Sequence, residues 1–445
     1  MSSKNECCTV EAYHGSEAWY PNLRHIRLFD AASAFGSLSR AAAEVHISQP
    51  AATQAISRLE LQFGVQLLVR TSSGIELTER GLIVGNRFRR ALAILRAANH
   101  DLARQSKIGK ALALDLFETH ATITHLRALA AFSASSSFAA AGRLLGQAEA
   151  SVHRAARQFE RIGGVILFED SSRTLKLTQA GQSLAMQASL FLQEIDWAVE
   201  DLREFDGSFG GRVRVGTLPL VRTTVVPRLI AMISERYPHA QIEIADGDYE
   251  TQMASLRCGR IDLLLGALRI GELEQGLTQQ ELFQDSLSII ARAGHPLLSK
   301  HKVSLDDLRG YAWVVSREGT PTRGIFDRLG LGQCRRAAAA LPPIIAGSSV
   351  VVRGLLMETD RLTVLSPRQV AHEISTGLLC VVPFELDGAT RAIGVTVRSN
   401  WQPTALQSAV METIGFITAQ EDQRQKGGDR FPPPDLLSIC DQQAV

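Results

Sequence analysis

A chain of 445 residues is too long for one ordinary domain and suggests two to four. Its 45% hydrophobic and 21% charged residues are those of a globular protein, which excludes a mostly disordered one. No apolar stretch reaches the roughly 18 to 20 residues that cross a bilayer, which argues against an integral membrane protein. The net charge of +1 looks uninformative, but it averages unlike segments.

Residues 1–21 read as an N-terminal extension. Glu6, Glu11 and Glu17 without an apolar core argue against a secretory signal. The six cysteines (7, 8, 258, 334, 380 and 440) form no CxxC pair and no Cys/His cluster. They read as reduced cytosolic thiols, with neither a disulfide framework nor a metal site.

Residues 22–110 carry 13 Lys+Arg against 6 Asp+Glu, the footprint of a polyanion partner or simply a solvated basic face. Ser37 is placed to cap a short helix over 38–45, followed by a tight turn at His46-Ile47. Ser48 caps the next helix, where Pro50 is tolerated in the first turn. Ala52, Ile56, Leu59 and Phe63 recur at 4, 3 and 4 residues and define a buried stripe. The other face offers Gln49, Thr53, Gln54, Ser57 and Arg58. Such a pair of helices is a helix-turn-helix, whose second helix enters the major groove N-terminus first. Gln and Thr there can hydrogen-bond base edges, and the carbons of Pro50 and Ala51 can meet thymine methyls. Residues 67–69 and 74–77 read as a hairpin wing, with Arg70 at its root able to reach phosphate or a minor groove. A linker helix is expected over 82–110. Its Phe88, Leu92, Leu95, Asn99 and Leu102 form a coiled-coil-like seam flanked by Arg80, Arg87, Arg89, Arg90, Arg96 and Arg104.

Shifting the chain by 100 residues aligns 23–81 with 123–181 without gaps. Identical pairs include His25/His125, Ser37/Ser137, Glu60/Glu160, Gly64/Gly164, Thr78/Thr178 and Gly81/Gly181. So many matches in one register indicate a tandem duplication. The second copy changes the reading face: Ser48-Gln49-Pro50-Ala51 becomes Ala148-Glu149-Ala150-Ser151, and Arg70 becomes Asp170. His153, Arg154 and Arg157 could still make an auxiliary DNA contact; a structural or dimer-shaping role is the other reading. The following linker, 182–206, carries a seam of Leu184, Ala188, Phe191, Ile195, Ala198, Leu202 and Phe205. Its charges are acidic: Glu194, Asp196, Glu200, Asp201, Glu204 and Asp206. Each seam either packs on its own winged unit or joins two chains, and homodimerisation through at least one is expected.

From 211 onward, strands and helices alternate as in parallel α/β units, with strands expected at 212–217, 240–245, 261–266, 311–315, 341–346, 361–365, 378–382 and 391–397. Ligands of such sheets sit at the carboxyl ends of strands. This nominates Thr217, Leu218, Pro219, Gly266 and Ala267, then Thr320, Thr322, Arg323, Ser348 and Ser349. Hydroxyls and amides at helix starts suit a carboxylate or a sugar-like polyol, and Arg323 favours the former. Ordinary capping explains each Ser or Thr equally well. Residues 419–445 read as a flexible tail.

The run Asn22-Leu-Arg-His-Ile-Arg-Leu-Phe, with Ser48-Gln49-Pro50-Ala51, Gly64-Val65-Gln66-Leu67-Leu68 and Leu77-Thr78-Glu79-Arg80-Gly81, resembles the LysR-type transcriptional regulators. Ala291-Arg-Ala-Gly-His-Pro296 is in the same idiom. A departure is Thr53-Gln54, where the family commonly has Ser-Arg. The resemblance implies a multidomain α plus α/β fold. Winged helix-turn-helix units would occupy 22–81 and 123–181. A two-lobed effector domain, like the periplasmic binding proteins, would span 211–418, with lobe 1 at about 211–285 and 390–418 and lobe 2 at about 286–389. The resemblance also implies DNA contacts at Gln49, Pro50, Thr53, Gln54 and Arg70, with Ser48, Ala51, Ser57 and Arg58 on the same face. The expected partners are double-stranded DNA, a small-molecule effector, a second copy as homodimer or tetramer, and RNA polymerase if the protein activates. A cytoplasmic location without membrane or cofactor follows. A periplasmic solute-binding protein, an enzyme and an architectural DNA binder are the alternatives. No nucleophile motif, metal spacing or phosphate loop supports the enzyme.

Overall fold

Three helices, a two-stranded hairpin and a long helix occur twice along the first half of the chain. They are α1 (Leu23–Phe35), α2 (Leu38–Glu44), α3 (Gln49–Phe63), β1 (Leu68–Thr71), β2 (Gly74–Leu77) and α4 (Glu79–Ala103). After α5 (Lys110–His120) the order returns as α6 (Ile123–Ser135), α7 (Phe138–Leu145), α8 (Glu149–Gly163), β3 (Phe168–Ser171), β4 (Thr174–Leu177) and α9 (Gln179–Phe205). The protein is described by a computed structural model over residues 19–426, apart from 73, 172–173, 209, 270–275 and 332–340. The N-terminal extension before residue 19, the tail beyond 426 and four of the cysteines lie outside the described residues.

Local chemistry explains the boundaries. Asn22, Ser37 and Ser48 cap α1, α2 and α3 by accepting from the amides of Arg24, Arg40 and Ala51. The residues repeated at an offset of 100 tie α3, the hairpin and the long helix together. The Glu60 carboxylate accepts from the Leu67 and Leu68 amides at 2.9 and 3.1 Å. Glu160 does the same for Leu167 and Phe168 at 2.8 and 3.2 Å. Thr78 and Thr178 cap the long helices through the amides of Gly81 and Gly181. A Cβ on Gly81 would stand 2.0 Å from the Leu67 carbonyl oxygen, and one on Gly181 would stand 2.2 Å from that of Leu167. Glycine is therefore required at both sites by close backbone approach.

Two expectations are corrected here. The first linker helix does not run to residue 110. It ends at Ala103, and α5 is a separate helix that starts beyond Gly109, whose φ is 94°. Within the chain the two seams meet each other: α4 lies antiparallel on α9, with Arg80 opposite Asp206 and Arg90 opposite Glu194. Phe88, Leu92, Leu95 and Leu102 are buried, as are Leu184, Ala188, Phe191, Ile195, Ala198 and Leu202. The last seam residue, Phe205, is exposed instead, lying beside the Arg80 guanidinium. Asn99 is buried with its Oδ1 unpaired among the described residues. One buried cluster runs from Trp19 to Leu202 through both repeats.

The second compact unit holds the α/β part. Its elements are β5 (Gly210–Thr217), α10 (Pro219–Thr223), α11 (Val225–Arg236), β6 (His239–Asp246), α12 (Tyr249–Arg257), β7 (Leu263–Ala267) and β8 (Leu277–Ser286). There follow β9 (Ser288–Arg292), α13 (Leu305–Arg309), β10 (Val314–Val315), α14 (Pro321–Arg328), β11 (Ile344–Ile345) and α15 (Ser349–Glu358). Last come β12 (Thr363–Leu365), α16 (Ala371–Ser375), β13 (Leu379–Val381), β14 (Thr390–Arg398) and α17 (Ala405–Lys426). A five-stranded sheet has the order β6-β5-β7-β14-β8. The remaining strands form β12-β9-β13 and the parallel pair β10-β11.

The expected parallel pairing holds for β5 with β7 and for β10 with β11, but the sheets are mixed. β14 runs antiparallel to β7 and β8, and β9 runs antiparallel to β12 and β13. The strand β8 escaped the sequence reading because it is an edge strand that buries only Leu277, Phe283 and Asp285, so its apolar alternation is weak. The last helix also continues past residue 418 to Lys426, so the expected tail is helical at its start.

Candidate functional site

The face of α3 opposite its buried stripe is the first candidate. Ala52, Ala55, Ile56, Leu59 and Phe63 are buried, which pins the helix orientation. Ser48, Gln49, Pro50, Ala51, Thr53, Gln54, Ser57 and Arg58 are all exposed, and so is Arg70 in β1. Gln49, Thr53 and Gln54 thus share the outer side of the N-terminal half, where free amides add positive potential. The Thr53 hydroxyl donates to the Gln49 carbonyl at 3.2 Å.

The matching face of α8 is chemically different. Glu149 stands exposed at its first position, and Ala148 supplies no side-chain cap. Arg157 donates to Glu160 at 2.9 Å and stacks 4.9 Å from the Phe168 ring, so it is held down onto its own unit. His153 sits edge-on to Phe138, while Arg154 is exposed. An open depression of about 800 Å³ lies along this face, lined by Glu149, His153, Arg154, Arg157, Glu160 and Arg161. Asp170 lies on the β3 backbone; its side chain is outside what is described.

The expected effector residues fall into two groups. Thr217 on β5 pairs with Leu265 on the parallel strand β7, one residue before Gly266. The Thr217 hydroxyl is buried; it donates to the Ala245 carbonyl at 3.2 Å and accepts from Arg222 Nε at 3.1 Å. Arg222 also donates to the Thr217 and Gly247 carbonyls, and burial lowers its pKa against the attraction of Asp246. The Thr217 hydroxyl is thus committed to the protein, and Arg222, missed from sequence, is the polar group beside it. Leu218 is half-buried over Gly266, Pro219 is exposed at the start of α10, and Ala267 is half-buried.

In the second group, Thr320 and Ser348 cap α14 and α15, which start beyond the adjacent ends of β10 and β11. Thr322 donates to Ser316 at 2.9 Å, and Ser349 is half-buried. Arg323 Nε donates to Asp327 at 2.8 Å, while its Nη1 is buried without a partner among the described residues. Arg269, which follows β7, bridges the groups. It pairs with Glu250 at 2.8 Å, lies 3.7 Å over the Tyr249 ring and donates to the Gly319 carbonyl. Sequence gave no signal for Arg269, because its role depends on loops that are 50 residues apart. Among the described residues no group of three or more His, Cys, Asp or Glu could hold a metal, and no helix is long and apolar enough to cross a membrane.

A helical unit with an exposed polar helix face, joined to an α/β unit, is the arrangement of a transcription regulator with an effector-binding domain. The chain belongs to the LysR family. The family described as "LysR substrate binding domain" matches residues 206–415. The one described as "Bacterial regulatory helix-turn-helix protein, lysR family" matches twice, at 23–82 and 123–182. The HTH-type transcriptional regulator GalR of Pseudomonas putida is 30% identical over 408 residues, covering 90% of this chain and 98% of that protein. PcaQ of Agrobacterium fabrum is 25% identical over 291 residues, which cover 65% of this chain and 93% of the relative. A full-length OxyR variant from Pseudomonas aeruginosa superposes with a TM-score of 0.51 at 20% identity, over 66% of this chain and 98% of that one, and shows the fold alone. The curated relatives are named transcriptional regulators, and this chain is a DNA-binding regulator rather than an enzyme.

Proposed function

We propose that the two repeats are winged helix-turn-helix units arisen by tandem duplication, and that the first reads the operator. In this reading Gln49, Thr53 and Gln54 contact base edges, and Pro50 and Ala51 meet thymine methyls. Ser48, Ser57, Arg58 and Arg70 hold the backbone. The second unit, with Glu149 at the position of Gln49, is mainly structural, and His153, Arg154 and Arg157 offer at most an auxiliary contact. The observation that carries the assignment is the contrast between two like-placed helix faces. One ends in an exposed glutamine, the other in a carboxylate that phosphates repel.

The α/β unit takes a small carboxylate or sugar-like effector near the loops after β5, β7, β10 and β11. The unpaired Arg323 Nη1 and the nearby Arg222 and Arg269 favour an acid. A DNA-reading role places the protein with the chromosome, in the cytoplasm. Homodimers or tetramers, and RNA polymerase if the protein activates, are its further partners. Footprinting of the adjacent intergenic DNA tests the reading. Wild type should give a protected, salt-sensitive site that Gln49→Ala weakens at specific bases. Equal binding of all sequences by both proteins would refute it.

A further inference from the structure

We propose that the two linker helices form an obligate pair within one chain, so that a second copy of the protein is excluded from this seam. The DNA-reading body is then complete in a single chain, whichever repeat touches DNA.

The charges across the seam are divided between the repeats. Arg87, buried on α4, donates to Asp201 at 2.6 Å and to Glu194 at 3.2 Å. Arg90 donates to Glu194 at 3.0 Å, and Arg80 pairs with Asp206. At the offset of 100, Arg80, Arg87 and Arg90 correspond to Ala180, Gln187 and Leu190. In the other direction Glu194 and Asp206 correspond to Ile94 and Ser106, and only Asp201 keeps its charge, as Asp101. The cations stand on one repeat and the carboxylates that meet them on the other.

Like-with-like pairing in the same antiparallel register loses these partners. Two α4 helices would set Arg87 against Ile94 and retain only Asp101. Two α9 helices would set Glu194 against Gln187 and Leu190, with a cation at neither position. A buried charge stripped of its partner is strongly unfavourable, so the residues that favour the unlike pair also disfavour the like ones.

An unlike pair could still be exchanged between two chains, but the connection favours one chain. Only residues 104–109 separate α4 from α5. Within them the Ser106 hydroxyl donates to the Gly163 carbonyl at 2.7 Å, and the Lys107 amide donates to that of Gly164 at 3.1 Å. At the other end of the first repeat, the Tyr20 hydroxyl donates to Asp196 at 2.9 Å, and the Arg127 guanidinium covers the Tyr20 ring. Both ends of the first repeat are thus tied to the second. Self-association must use other surfaces.

Thiol crosslinking of the full chain tests this. Arg80→Cys and Asp206→Cys change an exposed pair and leave the buried charges in place. A short bismaleimide applied to the double variant should join positions 80 and 206 in a product of monomer mass, with the linked peptide identified by mass spectrometry. Each single variant should give no dimer beyond that of wild type. A covalent dimer linked through 80 and 206, or a dimer formed on mixing the two single variants, would overturn the proposal. So would the absence of any 80–206 link in double-variant protein that keeps the wild-type circular dichroism spectrum.

Discussion

Arg87 on α4 and Glu194 on α9 form an ion pair across the two long helices, Nη1 to Oε2 at 3.2 Å, with side chains only 5% and 4% exposed. Burial opposes the charge on Arg87. The hydrogen bond and attraction of Asp201, followed by Glu194, outweigh it and hold the guanidinium pKa above its ordinary value. The Arg87 guanidinium also lies 5.2 Å from the Trp197 ring.

Arg87→Met removes the cation that meets both Asp201 and Glu194 and leaves the buried Glu194 to Arg90, so it should cost about 3 kcal/mol of stability. Arg87→Met combined with Glu194→Met should recover part of that loss, because the two most deeply buried charges are then gone and the remaining Asp201 and Arg90 stand nearer solvent. Urea unfolding followed by far-ultraviolet circular dichroism measures both. Equal, additive losses from the two changes would show that the residues are not coupled.

On α8, Arg154→Ala together with Arg157→Ala should leave operator affinity and its salt slope nearly unchanged, since Arg157 is held by Glu160 and Phe168. Arg70→Ala on the first wing should instead weaken binding to all sequences and lower the salt slope by about one. Titrations at several salt concentrations separate the two. A steep fall in both quantities for the α8 variant would make the second unit a DNA reader.

Alanine at Gly81 or Gly181 places a methyl within 2.0 or 2.2 Å of a carbonyl oxygen. Either change should lower the melting temperature by several degrees, at roughly 1–3 kcal/mol of overpacking. Only Gly81→Ala should also reduce operator affinity, because it shifts the wing that carries Arg70. Matching losses of affinity would argue for equal use of both wings.

His125 is buried, which lowers its pKa against the opposing hydrogen bond to Gln158; its Nδ1 accepts from the Thr122 amide. The folded chain therefore resists a proton that the unfolded chain accepts. The stability this contributes is complete above the unfolded value of 6.5 and declines as pH falls toward the depressed folded value. The lowered pKa of His25 acts with the same sign. The urea midpoint should fall between about pH 7.5 and pH 5.5, and His125→Asn should show a smaller fall. An identical pH response in both proteins would remove His125 from the account.

What could be read from sequence was local. Ser37 and Ser48 are caps, and Ala52, Ile56, Leu59 and Phe63 recur at helical spacing, so the two helices and the exposed face of α3 follow from residues within one or two turns. The offset of 100 was legible because Glu60, Thr78 and Gly81 perform the same backbone chemistry in each repeat as Glu160, Thr178 and Gly181. Other features depend on groups distant in the chain. The Thr217 hydroxyl donates to the carbonyl of Ala245, 28 residues away, a contact that no local pattern announces. The strand β8 showed little apolar alternation because it is an edge. Above all, a seam such as Phe88, Leu92 and Leu95 states that a helix has a buried stripe but not what covers it. That was decided by tertiary structure, where Arg87 and Arg90 meet Glu194 and Asp201, because apolar contact is non-directional and charge pairing is not.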